Sequence, residues 1–144
     1  MPMFMRRINL LSRCEGLYRT DHLPDMGLRP IHHSMVLTIC RLPGISQEEL
    51  AKQICLNKST VTRQLAPLEE QGYVNRVQSE SDKRVILVYP TQKMLDILPR
   101  VREVTKAWNA YLTEGFSEEE LTRFSAMLDK MTERAQNYAE ERTE

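Results

Sequence analysis

Hydrophobic residues near the start of the chain recur every three or four positions, which is the spacing of one face of an α-helix. Two neighbouring stripes of this kind run along a helix expected over residues 4–21. One contains Phe4, Ile8, Leu11, Cys14 and Tyr18, and the other contains Leu10, Leu17 and the preceding Met3. The pattern predicts an amphipathic helix. Because two apolar stripes exceed what a small core can cover, we expect this helix to pack against a second subunit.

Three later helices are predicted by residues that cap helix N-termini. Ser46 with Glu49 has the S-x-x-E spacing of a capping box. The same spacing recurs at Ser117 with Glu120, and Asn57 is a suitable single N-cap. Helices are therefore expected to begin near residues 47, 58 and 118. Apolar spacing adds helices over 31–42 and from Thr91 to about Leu112, with the last helix ending near 141.

The middle of the chain has the pattern of a helix-turn-helix followed by a hairpin. The helix at 47–54 is short, and the next one begins only about three residues later, so the two must cross steeply. The second helix is expected over 58–71, before Gly72. Residues 73–78 and the β-branched segment 85–89, which Pro90 ends, then predict two strands joined by a charged tip.

These elements predict a mainly α-helical fold with a small β-hairpin wing. We divide the chain into an N-terminal helix of a dimerisation region (1–28), a winged helix-turn-helix lobe (29–90) and C-terminal helices of the dimerisation region (91–144). The flanking helices carry more apolar surface than one small core needs, which favours a dimer core shared by two chains.

Composition narrows the class of protein. The 144 residues carry 20 basic and 20 acidic side chains, and no apolar run approaches the ~18 residues of a membrane span. The start of the chain lacks the apolar segment of a signal peptide, so a cytoplasmic location is expected. Three cysteines without C-x-x-C spacing make a disulfide framework or zinc site improbable. No catalytic fingerprint is found, so we expect no enzyme, cofactor or metal.

Charge is unevenly distributed along this neutral chain. Residues 1–42 have a net charge of +3, residues 52–84 of +2 and residues 113–144 of −5. A basic middle segment is compatible with a polyanion partner, although charge alone favours ordinary solvated faces.

The residues that open the 58–71 helix suit contact with DNA. The first turns of a recognition helix meet base edges and phosphates, where small hydroxyls allow close approach and arginine can pair with guanine or phosphate. The helix N-terminus itself favours a phosphate. The candidate DNA-binding residues here are Asn57, Lys58, Ser59, Thr60, Thr62 and Arg63.

The hairpin tip supplies a second candidate contact. Arg84 suits a narrow minor groove, whose negative potential attracts an inserted arginine. Asp82, two residues earlier, can hold the guanidinium by charge-assisted hydrogen bonds. With Lys83 between them, these residues complete the predicted DNA-binding set. As a solvated surface pair, by contrast, they would contribute only ~0–1 kcal/mol.

The combined motifs resemble the MarR family of bacterial regulators. The resemblance extends in outline over nearly the whole chain and is sharpest over about residues 45–91. It is carried by the segments 46–52 (SQEELAK), 58–63 (KSTVTR), 68–74 (LEEQGYV) and 82–84 (DKR). Several positions depart from the family pattern. Cys55 stands where the turn often has glycine, and Arg29 where a Ser or Thr cap is common. Pro67 and Pro99 lie inside predicted helices, and the strand-to-helix junction is Pro90-Thr91 rather than Leu-Thr with a glycine soon after.

The resemblance implies a homodimeric repressor that binds double-stranded DNA at a palindromic operator. It also implies a cleft between the dimer helices and the DNA-binding lobe, in which small phenolic or lipophilic effectors often bind. His33 stands about where the family often has a pocket-lining aromatic residue. We therefore predict an effector pocket at Tyr18, His33 and Val36.

Two alternatives stay open. One branch of the family senses peroxides through a cysteine in the N-terminal helix, which gives Cys14 a redox interpretation; its place on an apolar stripe favours a structural role. The other alternative is a winged-helix module that binds protein rather than DNA. It predicts no salt-dependent binding to a duplex.

Overall fold

A computed structural model describes residues 3–142 and has a mainly helical fold with one small antiparallel sheet. A short 3-10 turn, Pro24–Met26, lies in the segment expected to be a loop. The elements in chain order are α1 (Met5–His22), α2 (Pro30–Arg41), β1 (Ile45–Ser46), α3 (Gln47–Gln53), α4 (Lys58–Glu70), β2 (Val74–Gln78), β3 (Ile86–Pro90), α5 (Gln92–Leu112) and α6 (Glu118–Glu141). The predicted winged helix with flanking helices is confirmed.

Side-chain caps start the helices where the sequence placed them. The backbone N–H of Thr60 donates to Asn57 Oδ1 at 2.8 Å, which caps α4. At α6 the capping box is reciprocal, with Ser117 N–H donating to Glu120 Oε2 at 2.8 Å and Glu120 N–H to Ser117 Oγ at 3.2 Å.

The capping box expected at α3 is only half formed. Ser46 Oγ accepts from the N–H of Glu49 at 3.0 Å. The Glu49 carboxylate does not return to Ser46, because it accepts a hydrogen bond from Gln53 Nε2 at 3.0 Å, one turn further along the helix. The start of α3 was therefore predicted correctly, but with one capping bond too many.

The sheet has the order β1-β3-β2, and both pairs are antiparallel. The two-residue strand β1 was not predicted; it pairs Ile45 with Val88 in the middle of β3. Pro90 was expected to end the hairpin strand from outside, but it is the last residue of β3 and lies opposite Val74. A proline is tolerated there because a strand end need not donate to the ladder.

The hydrophobic core lies within the winged-helix lobe and under the start of α5. Leu50 of α3 and Leu65 of α4 are fully buried, as are Met35 of α2 and Met94 of α5. By contrast, neither α1 nor α6 contains a buried residue. In a single chain, the lobe is therefore a packed unit, whereas the two outermost helices leave their apolar faces exposed.

Cys55 takes the conformation that favours glycine. Its φ of 52° lies in the left-handed region, in the turn between α3 and α4. We expect Cys55→Gly to raise the free energy of unfolding by about 0.5–1 kcal/mol, because relief of a strained backbone exceeds the entropy cost of glycine. Urea denaturation of Cys55→Gly and of Cys55→Ala measures this. The alanine variant removes the thiol but keeps the strain, and an equal gain in both variants would contradict the explanation.

Candidate nucleic-acid interface

The N-terminal turn of α4 is held in a fixed arrangement. Asn57 Oδ1 accepts from the N–H of Thr60 and also from Ser59 Oγ, at 2.8 Å in each case. The oxygen of the Asn57 side chain is thus engaged within the chain. Asn57 positions the turn that carries Lys58, Ser59 and Arg63, all of which are exposed.

The two threonines of the predicted set are less free. Thr60 is half-buried, and the hydroxyl of Thr62 donates to the Lys58 carbonyl at 3.0 Å. Thr62 Oγ1 also accepts from Gln47 Nε2 of α3 at 3.1 Å. Gln47 is buried and was not predicted; it fixes the crossing of α3 and α4. Lys58 and Arg63 therefore have the side chains most available to a ligand on α4, because the hydroxyl of Ser59 already donates to Asn57.

The wing presents an exposed arginine in a fixed orientation. Arg84 Nε donates to Asp82 Oδ1 at 3.1 Å and Nη2 to Oδ2 at 3.0 Å, while the backbone N–H of Arg84 donates to Oδ1 at 3.0 Å. The Arg84 side chain is nevertheless 91% exposed. These hydrogen bonds lower the pKa of the Asp82 carboxyl and raise that of Arg84. Asp82 thus orients the guanidinium and leaves its outer edge open to a ligand.

A second arginine–carboxylate pair attaches the wing to α4. Arg76 of β2 donates to Glu69 of α4 through Nε at 3.2 Å, Nη2 at 3.1 Å and its backbone N–H at 3.1 Å. The side-chain hydrogen bonds from Arg76 are the main reason that the pKa of Glu69 is lowered. This pair has no signal in the sequence, because its members lie seven residues apart in different elements.

The start of α4 and the wing, at Arg84 and the two residues after it, meet at one cleft. Lys58 and Arg84 both line it, together with Glu48 and with uncharged residues of β1, α3 and the wing, Ser46, Gln47, Val85 and Ile86. The structure therefore brings together the two separate segments that the sequence singled out. It also places one carboxylate, which was not foreseen, beside the two cations.

The three residues predicted to form an effector pocket are packed in the structure. His33 and Val36 are almost fully buried in α2. Tyr18 is half-buried and stacks between His22, with ring centroids 3.9 Å apart, and Trp108, at 4.9 Å. A groove between α1 and α2 is lined by a different set: Ser12, Glu15, Gly16, Arg19, Pro30, Ile31 and Ser34.

Two buried nitrogens near this groove have no hydrogen-bond partner among residues 3–142. They are Arg19 Nε and His33 Nε2. The other ring nitrogen of His33 donates to the Pro30 carbonyl at 3.2 Å, so the neutral ring carries its proton on Nδ1. Burial, followed by the positive charge of Arg19, lowers the pKa of His33 to about 4.

The cysteines differ in exposure. Cys14 and Cys40 are half-buried and Cys55 is exposed, and burial raises the pKa of the Cys40 thiol. Within residues 3–142, no three His, Cys, Asp or Glu side chains are grouped so as to hold a metal ion. Over the same residues, no helix combines the length and apolar character that a membrane span requires.

The chain is similar to known transcriptional regulators. Residues 30–86 match the model of the MarR family. An uncharacterised HTH-type transcriptional regulator of Bacillus subtilis (strain 168), YybA, is 27% identical over 131 residues, which cover 91% of this chain and 87% of that protein.

Two solved structures share the fold. A MarR protein from Peptoclostridium difficile DA00132 is 25% identical, with a TM-score of 0.94 over 97% of this chain and 92% of that one. A MarR family transcriptional regulator from Listeria monocytogenes, crystallised with a 26-mer DNA, is 24% identical and has a TM-score of 0.91 over 96% of this chain and 93% of that one.

Proposed function

Since this chain belongs to the MarR family of transcriptional regulators, we propose that it is a homodimeric, sequence-specific DNA-binding repressor. Each subunit places α4 in a major groove and Arg84 of the wing in the flanking minor groove. A two-fold dimer then binds a palindromic operator whose half-sites lie about one helical turn apart, roughly 34 Å.

The observation that carries this proposal is the junction of Lys58 and Arg84 at one cleft. A recognition helix and a wing act together only if both reach the same duplex from one side. The exposed Arg84 held by Asp82, and the attachment of β2 to α4 through Arg76 and Glu69, support a rigid two-part surface. The Listeria regulator of the same fold was crystallised with DNA.

The exposed apolar surface supports the dimer. Of the sixteen large hydrophobic residues exposed among residues 3–142, twelve lie between Met3 and Leu17 or from Tyr111 onward. Phe124 and Met127 of α6 are more than half exposed. Apolar surface on this scale is normally covered, and a second copy of α1, α6 and the end of α5 offers a matching face. We expect sedimentation to give twice the mass of one chain.

Release by a small effector is the regulatory part of the proposal. The predicted pocket at Tyr18, His33 and Val36 is closed in this arrangement, so an effector there must bind a second dimer shape better than this one. Among residues 3–142, Arg19 Nε is an unpartnered donor and the unprotonated His33 Nε2 is an unpartnered acceptor. The pair favours an effector that both accepts and donates a hydrogen bond, such as a phenol. The ratio of the effector's affinities for the two dimer shapes sets the largest change that it can cause in the affinity for DNA.

The salt dependence of duplex binding tests DNA binding against protein binding. Lys58, Arg63, Lys83 and Arg84 provide eight cations per dimer, so the slope of log affinity against log salt should lie between about −4 and −7. Fluorescence anisotropy with a labelled duplex across salt concentrations measures the slope. A module that binds only protein would show no salt-dependent binding to any duplex.

The redox alternative has its own control. Cys14 is half-buried on α1, and a sensing thiol should be readily accessible. We expect Cys14→Ser to leave duplex binding insensitive to peroxide, as in the unchanged protein. If peroxide releases the wild-type protein from DNA but does not release Cys14→Ser, the result would show control by thiol oxidation rather than by an effector.

A further inference from the structure

A polar cluster of the buried His32 and Gln64 with the exposed Arg29 links the recognition helix to the start of α2. Gln64 is the one polar residue of α4 that is buried, next to the apolar core residue Leu65. Its Oε1 accepts hydrogen bonds from Nη2 of Arg29, in the turn before α2, and from Nε2 of His32 at 3.3 Å. Since buried apolar contacts are not directional, these bonds fix the orientation of α4 relative to α2.

The proton position in His32 follows from its neighbours. The backbone N–H of Arg29 donates to His32 Nδ1 at 3.2 Å, so Nδ1 carries no proton. The neutral ring then holds its proton on Nε2, which donates to Gln64. Arg29, His32 and Gln64 therefore form a closed set. The hydrogen bond from the Arg29 N–H to Nδ1 requires a neutral His32, whereas the two bonds that Gln64 Oε1 accepts do not.

Positive charge around His32 opposes its protonation. Burial, and next the charge of Arg29, lower the pKa of His32. His33 on the same helix also faces it, and α1 presents Arg19 and Glu15, whose charges act on His33. From α4 the neighbour is the uncharged Gln64, whose hydrogen bond to His32 acts in the opposite direction and raises the pKa. Among residues 3–142, the groups that act on His32 include no carboxylate.

We propose that Arg29, His32 and Gln64 form a positioning unit that holds α4 in the orientation needed to read bases, and that protonation of His32 weakens the unit by displacing Arg29. The inference rests on the proposed DNA binding. A protonated His32 turns an N–H at Nδ1 toward the N–H of Arg29, and two donors then face each other. The hydrogen bond that caps α2 is lost, and a second positive charge lies beside the Arg29 guanidinium.

The experiment compares affinities for two duplexes at pH 7.5 and pH 5. One duplex carries the inverted repeat selected with the wild-type protein, and the other has the same composition in scrambled order. The ratio of the two affinities measures base reading. Partial unfolding lowers both affinities by the same factor, so a purely structural effect does not change the ratio.

Three proteins are compared: wild type, Gln64→Met and Gln64→Glu. Methionine keeps the volume of the side chain but removes the acceptor. We expect Gln64→Met to lower the ratio about 10-fold at pH 7.5, because the acceptor of the hydrogen bonds from Arg29 and His32 is removed. The slope of affinity against salt should stay unchanged, because Gln64 is buried away from phosphates.

The pH response separates positioning from packing. In wild type the ratio should fall about 10-fold between pH 7.5 and pH 5, whereas Gln64→Met should show no further fall. Gln64→Glu should keep its ratio at pH 5, because the negative charge of the carboxylate offsets the repulsion between Arg29 and a protonated His32. Circular dichroism at each pH verifies that all three proteins are folded.

The outcomes distinguish this inference from the function on which it rests. Gln64→Met with the ratio and pH response of wild type overturns the positioning unit while leaving DNA binding intact. A wild-type protein that binds neither duplex overturns the proposed function, and the positioning unit with it.

Discussion

Arg84→Ala is expected to weaken binding to the selected operator about 100-fold. Each wing loses one minor-groove contact worth about 1.4 kcal/mol, which is a factor of ten, and the dimer has two wings. The slope of log affinity against log salt should also become shallower by about 2, since two cations no longer displace counterions. Anisotropy titrations at several salt concentrations measure both quantities.

Matched variants show whether the loss belongs to the wing. Arg123 of α6 pairs with Glu119 one turn away and is 75% exposed, so Arg123→Ala removes a comparable arginine from the opposite region of the chain and should leave affinity unchanged. Asp82→Asn keeps Arg84 but weakens the hydrogen bonds that orient its guanidinium, so it should give an intermediate loss of operator affinity. If Arg84→Ala leaves the operator affinity unchanged, the wing does not contribute the proposed contact.

Acidification from pH 7 to pH 5 is expected to cost about 2 kcal/mol of unfolding free energy through His33 alone. The pKa of His33 is about 4 in the folded chain against an ordinary 6.5. Folding therefore favours the neutral ring. The stabilisation is complete above pH 6.5 and is lost as the pH falls from 6.5 toward 4, where the total reaches about 3 kcal/mol. His32 acts in the same direction.

Urea denaturation at fixed protein concentration measures this dependence, and His33→Asn is the control. Asparagine can still donate to the Pro30 carbonyl, which His33 Nδ1 contacts at 3.2 Å, but it does not titrate. The variant should lose most of the dependence between pH 7 and pH 5. The range stays above pH 5 because Glu69 and Asp82, whose pKa values are lowered, destabilise the fold only in stronger acid. Equal pH dependence in variant and wild type would assign the effect to other groups.

Features that depend on a few neighbouring residues were predictable from sequence. The starts of α4 and α6 follow from Asn57 and Ser117, whose side chains bond to backbone groups three residues away. The pairing of Asp82 with Arg84 likewise needs only two residues of separation. These interactions are decided before the chain folds into its tertiary arrangement, so their sequence signals are strong.

Features that depend on distant partners were not predictable. Gln64 had no signal of its own, because its partners Arg29 and His32 lie 35 and 32 residues away. Thr62 fits a DNA-contacting pattern, but Gln47 of α3 binds its hydroxyl only once the two helices cross. The predicted effector pocket came from resemblance, and the burial of Val36 reflects helix packing that the family pattern does not specify.

The proposed function requires two chains to bind one duplex through α4 and the wing. Selection of random duplexes with the purified protein, followed by hydroxyl-radical footprinting on the selected sequence, tests this most directly. The expected selection result is an inverted repeat with half-sites about one helical turn apart. The expected footprint protects two flanking minor-groove segments, and this protection disappears with Arg84→Ala. Selection that yields no enriched repeat, or a footprint on one side only, would contradict the proposed function.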